Sequence, residues 1–509
     1  MEQITKIITF INDNILWGIP LIIAILGTGI LLTIRMRFLQ VRKFKESLST
    51  TIVPTVKSIG KKKVKKDGEK TISQFEAFSA AISGTVGTGN IVGVCGALLS
   101  GGPGAILWMW VSAFFGLLTN YSENVLGIYY RRKNAEGEVS GGPMYYISNG
   151  LGWRWLALIF ALCCSLAAIG MGMVQANSIS GTIQEVVAGG DANKALITSI
   201  IVGVVVAFLI GLIVIGGIKR IGKVASVIVP FMALLFIVMA IIIVIINATA
   251  VPEAFRLIFV NAFNIRSVSG GFFGYIIMKA MRYGFARGVF SNEAGLGSSV
   301  IAHSASDTKE PVKQGLWGIF EVFIDTFVIC TLTALSVLTV SIKTGAYDFT
   351  QIVANSGISK STIAPFAFTE TFGTFGQMVF TIILPLFAFT TILAWSYYGE
   401  KAVGFLVGEK HEKLASTIFK VLYVGLLIVG AIASSEIVWQ LDDMFNALMA
   451  LPNLVALIFL SGLIKDITKN YFDRKKGKEV EPMLSAYPEE NERLKAELSS
   501  ELKPESDEN

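Results

Sequence analysis

Two stretches of this sequence gather glycines, hydroxyls and amides inside otherwise apolar surroundings. The first, SAAISGTVGTGNIVGV (79–94), sets Gly84, Gly87, Gly89 and Gly93 among Ser83, Thr85, Thr88 and Asn90. The second, RYGFARGVFSNEAGLGSS (282–299), sets Gly284, Gly288, Gly295 and Gly297 around Ser291, Asn292 and Glu293. Each glycine costs a helix about 1 kcal/mol relative to alanine, so such clusters predict interrupted helices. A half-helix that begins inside a membrane presents N–H groups carrying a partial positive charge, which suit a carboxylate. One that ends there presents carbonyls, which suit Na+ or an ammonium group. A zwitterion and a cation can thus be held without burying a full protein charge, which is expensive in lipid. Thr88, Asn90, Ser291 and Asn292 are placed to complete the shell. A packing reading stays open for Gly89 and Gly93, whose spacing is that of small residues at helix contacts.

The elements that must hold these stretches are membrane helices. Of 509 residues, 53% are hydrophobic and 16% charged, against about 25% charged in a soluble domain, and the mean hydropathy is +0.63. This excludes an ordinary cytoplasmic enzyme, a disordered regulator and a nucleic-acid binder. Apolar runs predict eleven spans, at about 15–35, 74–100, 103–130, 155–187, 196–218, 224–248, 268–298, 316–342, 376–404, 415–433 and 437–465. Lipid offers the backbone no partners, so each is read as a helix. The first lacks the basic start and small-residue cleavage site of a signal peptide and is read as retained. Spans 2 and 7, the two broken ones, begin units of five helices each, 2–6 and 7–11. An odd number per unit makes the repeat inverted, a transporter signature, with span 1 left over as an accessory helix. The fold class is therefore an all-α polytopic bundle. It divides into 1–40 (accessory helix), 41–73 (basic cytoplasmic loop), 74–250 and 251–466 (first and second inverted repeats) and 467–509 (cytoplasmic tail, with a short helix near 488–502).

Charge sets the orientation. With the N-terminus outside and the C-terminus inside, 30 Lys and Arg fall in inner loops and 6 in outer segments, and KKKVKK (61–66) contributes most. That run can also bind anionic lipid. The four cysteines lie in apolar runs without metal or disulfide spacing and read as small buried thiols. His303 and His411 read as loop residues, and no histidine is assigned to a span. Charges at depth are functional by default: Lys279, Arg282, Arg287 and Glu293 in span 7, Glu321 and Asp325 in span 8. Pairing is the alternative, with Arg287 bonded to a carboxylate of span 8, or one basic partner serving both Glu321 and Asp325. Glu123 and Glu400 read as interfacial or gate residues, Trp108 and Trp110 as interface anchors, and Gly-Gly-Pro at 101–103 and 141–143 as tight turns.

The motifs GTVGTGNIVGV (84–94), GGPGAILWMWVSAFFG (101–116), GGPMYYI (141–147) and FSNEAGLGSS (290–299) resemble the alanine or glycine:cation symporter family over about 15–465. The resemblance implies a LeuT-type fold of the amino acid–polyamine–cation group, and uptake of alanine, often glycine, coupled to Na+ and more rarely to H+. It implies that the amides of Thr88 and Gly89 hold the substrate carboxylate. It places Asn90, Phe290, Ser291 and Asn292 on the substrate, with Gln175 as a polar candidate. The carbonyls of Ser83, Val86 and Phe387 and the hydroxyls of Thr390 and Thr391 would hold Na+. Trp395, one turn beyond Thr391, faces the same side and would limit the pocket, with Thr391 shared between substrate and ion. Gly84 and the absence of Arg-Phe-Pro after Asn90 depart from the LeuT pattern, so neither the outer gate charge nor a second sodium site carries over.

The reading is a sodium-coupled symporter that imports small neutral amino acids by alternating access, in a plasma membrane of prokaryotic inner-membrane type. It needs no cofactor beyond the coupling ion, no nucleic acid and no obligate protein partner. A proton-coupled or differently specific amino acid transporter is the alternative. TVGTG (85–89) is similar to a potassium filter, but a filter needs four such strands and the chain has one. An intramembrane enzyme would need a nucleophile with a base, or metal ligands, which the spans lack.

Overall fold

The computed structural model describes residues 2–58, 71–133, 137–263, 270–350 and 360–502. The basic run at 61–66, Arg266 and residues 503–509 lie outside them. Except for a short hairpin, Arg132–Lys133 with Val139–Ser140, and a bridge between Ile72 and Ser306, the described residues form helices and their connections. The helices that concern the site are α1 (Ile19–Arg35), α2 (Gln74–Thr85), α3 (Val92–Gly101), α4 (Gly104–Tyr129), α5 (Arg154–Val187), α6 (Ala192–Val214) and α7 (Gly217–Ile246). There follow α8 (Gly270–Asn292), the short α9 (Ser299–His303), α10 (Pro311–Thr344), α11 (Thr374–Val407), α12 (Glu412–Ile432) and α13 (Ser435–Lys475).

Eight of these, α4–α7 and α10–α13, are long and apolar enough to cross a membrane, and α2 with α3 makes a ninth, bent by 54°. The expected eleven thus stand at eight or nine by length and composition among the described residues. The two that fall short have clear reasons: α1 has 17 residues, and α8 carries Lys279, Arg282 and Arg287. Helices α6, α7 and α12 bury only 33% of their apolar window, while α4, α5, α10, α11 and α13 bury 61–67%. Phe208, Ile215, Val227 and Ile245 point outward; for an apolar helix this is the lipid-facing surface. The centre is built by α5 against α11 and α13, and by α4 against α8 and α10.

Local chemistry explains several boundaries. Ser73 and Glu76 cap α2 reciprocally: Glu76 N–H donates to Ser73 Oγ (3.2 Å) and Ser73 N–H to Glu76 Oε2 (2.8 Å). Gly102 and Gly142, the middle residues of the two Gly-Gly-Pro turns, have φ of +71° and +131°, which a side chain resists. Helix α13 runs ten residues past the expected end of span 11, because a polar helix continues freely once outside lipid. The tail helix, Pro488–Leu502, falls where expected, and its approach is pinned by Ala486 N–H to Tyr129 O (2.9 Å). All four cysteines are free and buried.

Candidate functional site

The first break follows from the sequence. Helix α2 ends as Val86 N–H bonds Ile82 O, and Gly87 is extended before a 3₁₀ turn, Thr88–Asn90. The side chain of Asn90 closes the gap, its Oδ1 accepting Gly87 N–H at 2.8 Å. Glycine at 87 is demanded by space: a Cβ there would lie 2.5 Å from Thr391 Oγ1, and one at Gly89 would lie 3.0 Å from the Phe290 ring. A Cβ at Gly93 would meet nothing within 4 Å, so Gly89 and Gly93 do not together form a small-residue helix contact.

The second break lies further along than expected. Helix α8 continues through Gly284 and Gly288 to Asn292; these two glycines let α4 approach, since a Cβ at Gly284 would lie 2.6 Å from Trp108 Cβ. The chain then turns at Glu293, Gly295 and Gly297, with φ of +53°, +97° and +76°. Glu123 Oε1 accepts Gly295 N–H (3.0 Å) and Asn453 Nδ2 (2.5 Å), while Asn453 Nδ2 also reaches Gly295 O (2.9 Å). Glu293 bonds the Ser298 hydroxyl and accepts Trp395 Nε1–H at 2.9 Å. The N–H and C=O of Gly295 are thus satisfied by side chains, as burial requires.

Around the first break the structure collects most of the expected residues. Thr391 Oγ1 donates to Ser83 O (2.9 Å) or Phe387 O (3.1 Å), which joins α11 to the end of α2. Gln175 on α5 accepts Thr88 N–H through Oε1 at 3.4 Å. Phe290 stacks on Trp439 of α13, centroids 5.2 Å apart. Ser291 Oγ reaches Asp325, and Asn292 Nδ2 donates to Thr326 Oγ1 (3.1 Å). Two residues point elsewhere. The Thr390 hydroxyl turns to Leu386 O and Phe387 O beside Met232, and Trp395 is tied to the second break. Val86 lies at the end of α2 with no side-chain oxygen. Each side chain expected at the site is no more than 4% exposed, so the site is closed to both sides in this arrangement.

Several charges depart from expectation. Arg287 pairs with Asp443 of α13 (2.6 Å), and neither with Glu321 nor with Asp325. Glu321 lies 2.7 Å from His303 Nε2, so Glu321 and Asp325 share no basic partner; His303 is fully buried where a loop was expected. Glu123, expected to be an interfacial or gate residue, is buried rather than interfacial and bonds the second break. Trp110 Nε1 donates to Thr331 Oγ1 (2.8 Å) and Trp108 packs on Phe285, so both are built into the bundle. Asp325 is the residue that the site adds: the depth of its charge singled it out in the sequence, but its partners lie 34 and 235 positions away.

A helical bundle with a mid-helix break held against an intact helix is the architecture of the LeuT-type secondary transporters. The chain superposes on MhsT, solved in complex with L-phenylalanine, with a TM-score of 0.53 and 14% identity, over 79% of this chain and 99% of that one; this likeness speaks for the fold alone. The profile of the sodium:alanine symporter family matches residues 1–485, and the chain belongs to that family. Similar relatives include an uncharacterized transporter of Haemophilus influenzae (41% identity; 91% of this chain, 95% of the relative). The sodium/alanine symporter AgcS of Methanococcus maripaludis is 39% identical (91% and 96%), and the probable sodium/glutamine symporter GlnT of Bacillus subtilis 34% (94% and 92%). The protein is a transporter and not an enzyme.

Proposed function

We propose that the protein imports alanine, and glycine with it, together with Na+ across the plasma membrane. The N-terminus lies outside, the two five-helix units form an inverted repeat, and the site opens alternately to either side. The observation that carries this reading is the contact of the Thr391 hydroxyl with the Ser83 carbonyl, beside the unwound backbone of 86–90. The Ser83 and Phe387 carbonyls each lie within hydrogen-bond distance of the Thr391 hydroxyl, a set of neutral hard oxygens of the kind that suits a sodium ion. Val86 O would join the set, and Thr390 would join it only by turning its hydroxyl away from Leu386 O and Met232.

The substrate carboxylate would take the Thr88 and Gly89 amides, displacing the long Gln175 contact, while Asn90 holds the turn. Phe290 and Gln175 would form the walls around a side chain as small as a methyl, with Ser291 and Asn292 behind them and Trp395 bracing the second break. Uptake of labelled alanine into proteoliposomes tests the reading. A Na+ gradient is expected to drive accumulation; equal uptake in Na+-free medium under a pH gradient alone would replace sodium by proton coupling. Competition by a panel of amino acids, with alanine and glycine the strongest, tests the substrate.

A further inference from the structure

Just past the end of α1 the chain makes a turn that sterics disfavour. Arg37 and Phe38, neither of them glycine, both have φ of +54°, a left-handed conformation that side chains resist. The turn leads into a short helix, Leu39–Arg42, and then into the helix Phe44–Ser58. It leaves Ile34, Phe38 and Val41 exposed among the exposed side chains of Arg35, Arg37, Arg42 and Lys45. Bulky apolar side chains set between cations are the pattern of a segment that lies in the headgroup layer of a membrane.

Between this segment and the end of α13 lies an open groove of about 560 Å³. Five cations line it, Arg42, Lys43, Lys45, Lys475 and Lys476, against one carboxylate, Glu46. Glu46 is fully engaged, pairing with Lys43 and with Lys475 at 2.6 Å each. The ring of Phe472 supports Lys43, its centroid 4.4 Å from Nζ. Among the described residues no carboxylate pairs with Arg42, Lys45 or Lys476. Asp473, the nearest other carboxylate along α13, is bonded by Lys478 (3.0 Å).

A concave cluster with three cations to spare attracts an anion, and its place decides which. Phe44, next to Lys43, packs on Phe323 of α10 with ring centroids 4.9 Å apart. The groove is therefore held against a membrane-spanning helix and not out in water. A soluble anion would leave Phe38 and Val41 bare, whereas a lipid covers them with its own chains. We propose that this groove binds the phosphate of an anionic phospholipid, held by Arg42, Lys45 and Lys476, with the acyl chains along Ile34, Phe38 and Val41. Arg42 supplies the planar fork that fits a phosphate, and the two lysines add charge. The proposal concerns the lipid around the protein and not its cargo, so it stands or falls apart from the symport reading.

The test places the full chain in phosphatidylcholine vesicles with a trace of photoactivatable phosphatidylglycerol or, in parallel, of photoactivatable phosphatidylcholine. Cross-linked peptides are read by mass spectrometry. Phosphatidylglycerol is expected to label peptides from 34–49 and 470–477 at least tenfold more than phosphatidylcholine does, while the outward faces of α6 and α7 take both lipids alike. The combined variant Arg42→Gln, Lys45→Gln, Lys476→Gln is expected to lose that preference. In wild type, about 1 M NaCl should weaken it severalfold, because exposed charges are then screened beyond about 3 Å. Equal labelling by the two lipids, or a preference that survives the combined variant or the salt, overturns the proposal. So does a preference abolished by millimolar inorganic phosphate, which would mark a site for soluble anions. Should the combined variant not fold, Lys45→Gln and Lys476→Gln decide singly: each is expected to lower the preference at least twofold, and no change in either overturns the assignment.

Discussion

Replacing Thr391 by valine keeps the shape of the side chain and removes one oxygen. That oxygen lies 2.9 Å from Ser83 O and 3.1 Å from Phe387 O, so it is both a proposed ion ligand and the link between α11 and the end of α2. A hydrogen-bonding group lost from a charged partner costs about 1.5–3 kcal/mol. At about 1.4 kcal/mol per factor of ten, the Na+ concentration for half-maximal uptake should rise about 10- to 100-fold. The two carbonyls left facing a methyl group add to the effect, since neither can turn to water. The assay is a Na+ titration of alanine uptake in proteoliposomes at saturating alanine, with Thr391→Ser as the control that returns the hydroxyl. Serine is expected to stay within a few-fold of wild type. A folded valine variant whose Na+ dependence matched wild type would refute the assignment of Thr391 to the ion.

Two further outcomes follow from the geometry. Gly87→Ala has no backbone obstacle, since φ is −136°, but its methyl would lie 2.5 Å from Thr391 Oγ1 and 3.5 Å from Gln175 Nε2; uptake is expected to fall more than tenfold in a protein that still elutes as a folded species. Outside the spans, Glu46 on the helix Phe44–Ser58 meets Lys43 and Lys475, each at 2.6 Å. Partial burial raises its pKa, yet the two ammonium groups prevail and hold it below the ordinary 4.5. A lowered carboxyl stabilises the fold above its unfolded-state pKa and loses that contribution as pH falls through the lower, folded value. Protection of residues 44–54 against hydrogen exchange, taken relative to the intrinsic rate at each pH, is therefore expected to fall below about pH 4.5 in wild type and to lose that dependence in Glu46→Gln.

The apolar runs placed most helices to within a few residues, because lipid leaves the backbone no alternative. The first break was legible for the same kind of reason: glycines beside short polar residues at 83–90 weigh against a continuous helix inside a span. The second was displaced, because Gly284 and Gly288 look the same in sequence whether they open a helix or admit a neighbour, and only the approach of α4 distinguishes the two. The partners of the buried charges were not legible at all. Arg287 meets Asp443 across 156 positions and Glu123 meets Asn453 across 330, and no local spacing encodes such pairs. Thr390 and Thr391 adjoin in sequence but stand about 100° apart on a helix, and it is Thr391 that reaches Ser83.

The closeness of Gly87 to Thr391 leaves the backbone wall of the site no room for change. Where backbone meets hydroxyl, even a methyl group is excluded, so that face is frozen. Gln175 and Phe290 meet the same break through their side chains, Gln175 at Thr88 N–H and Phe290 beside Gly89. On the symport reading, a lineage built on this scaffold would retune its cargo through side chains such as these, since the peptide path beside Thr391 admits not even a methyl.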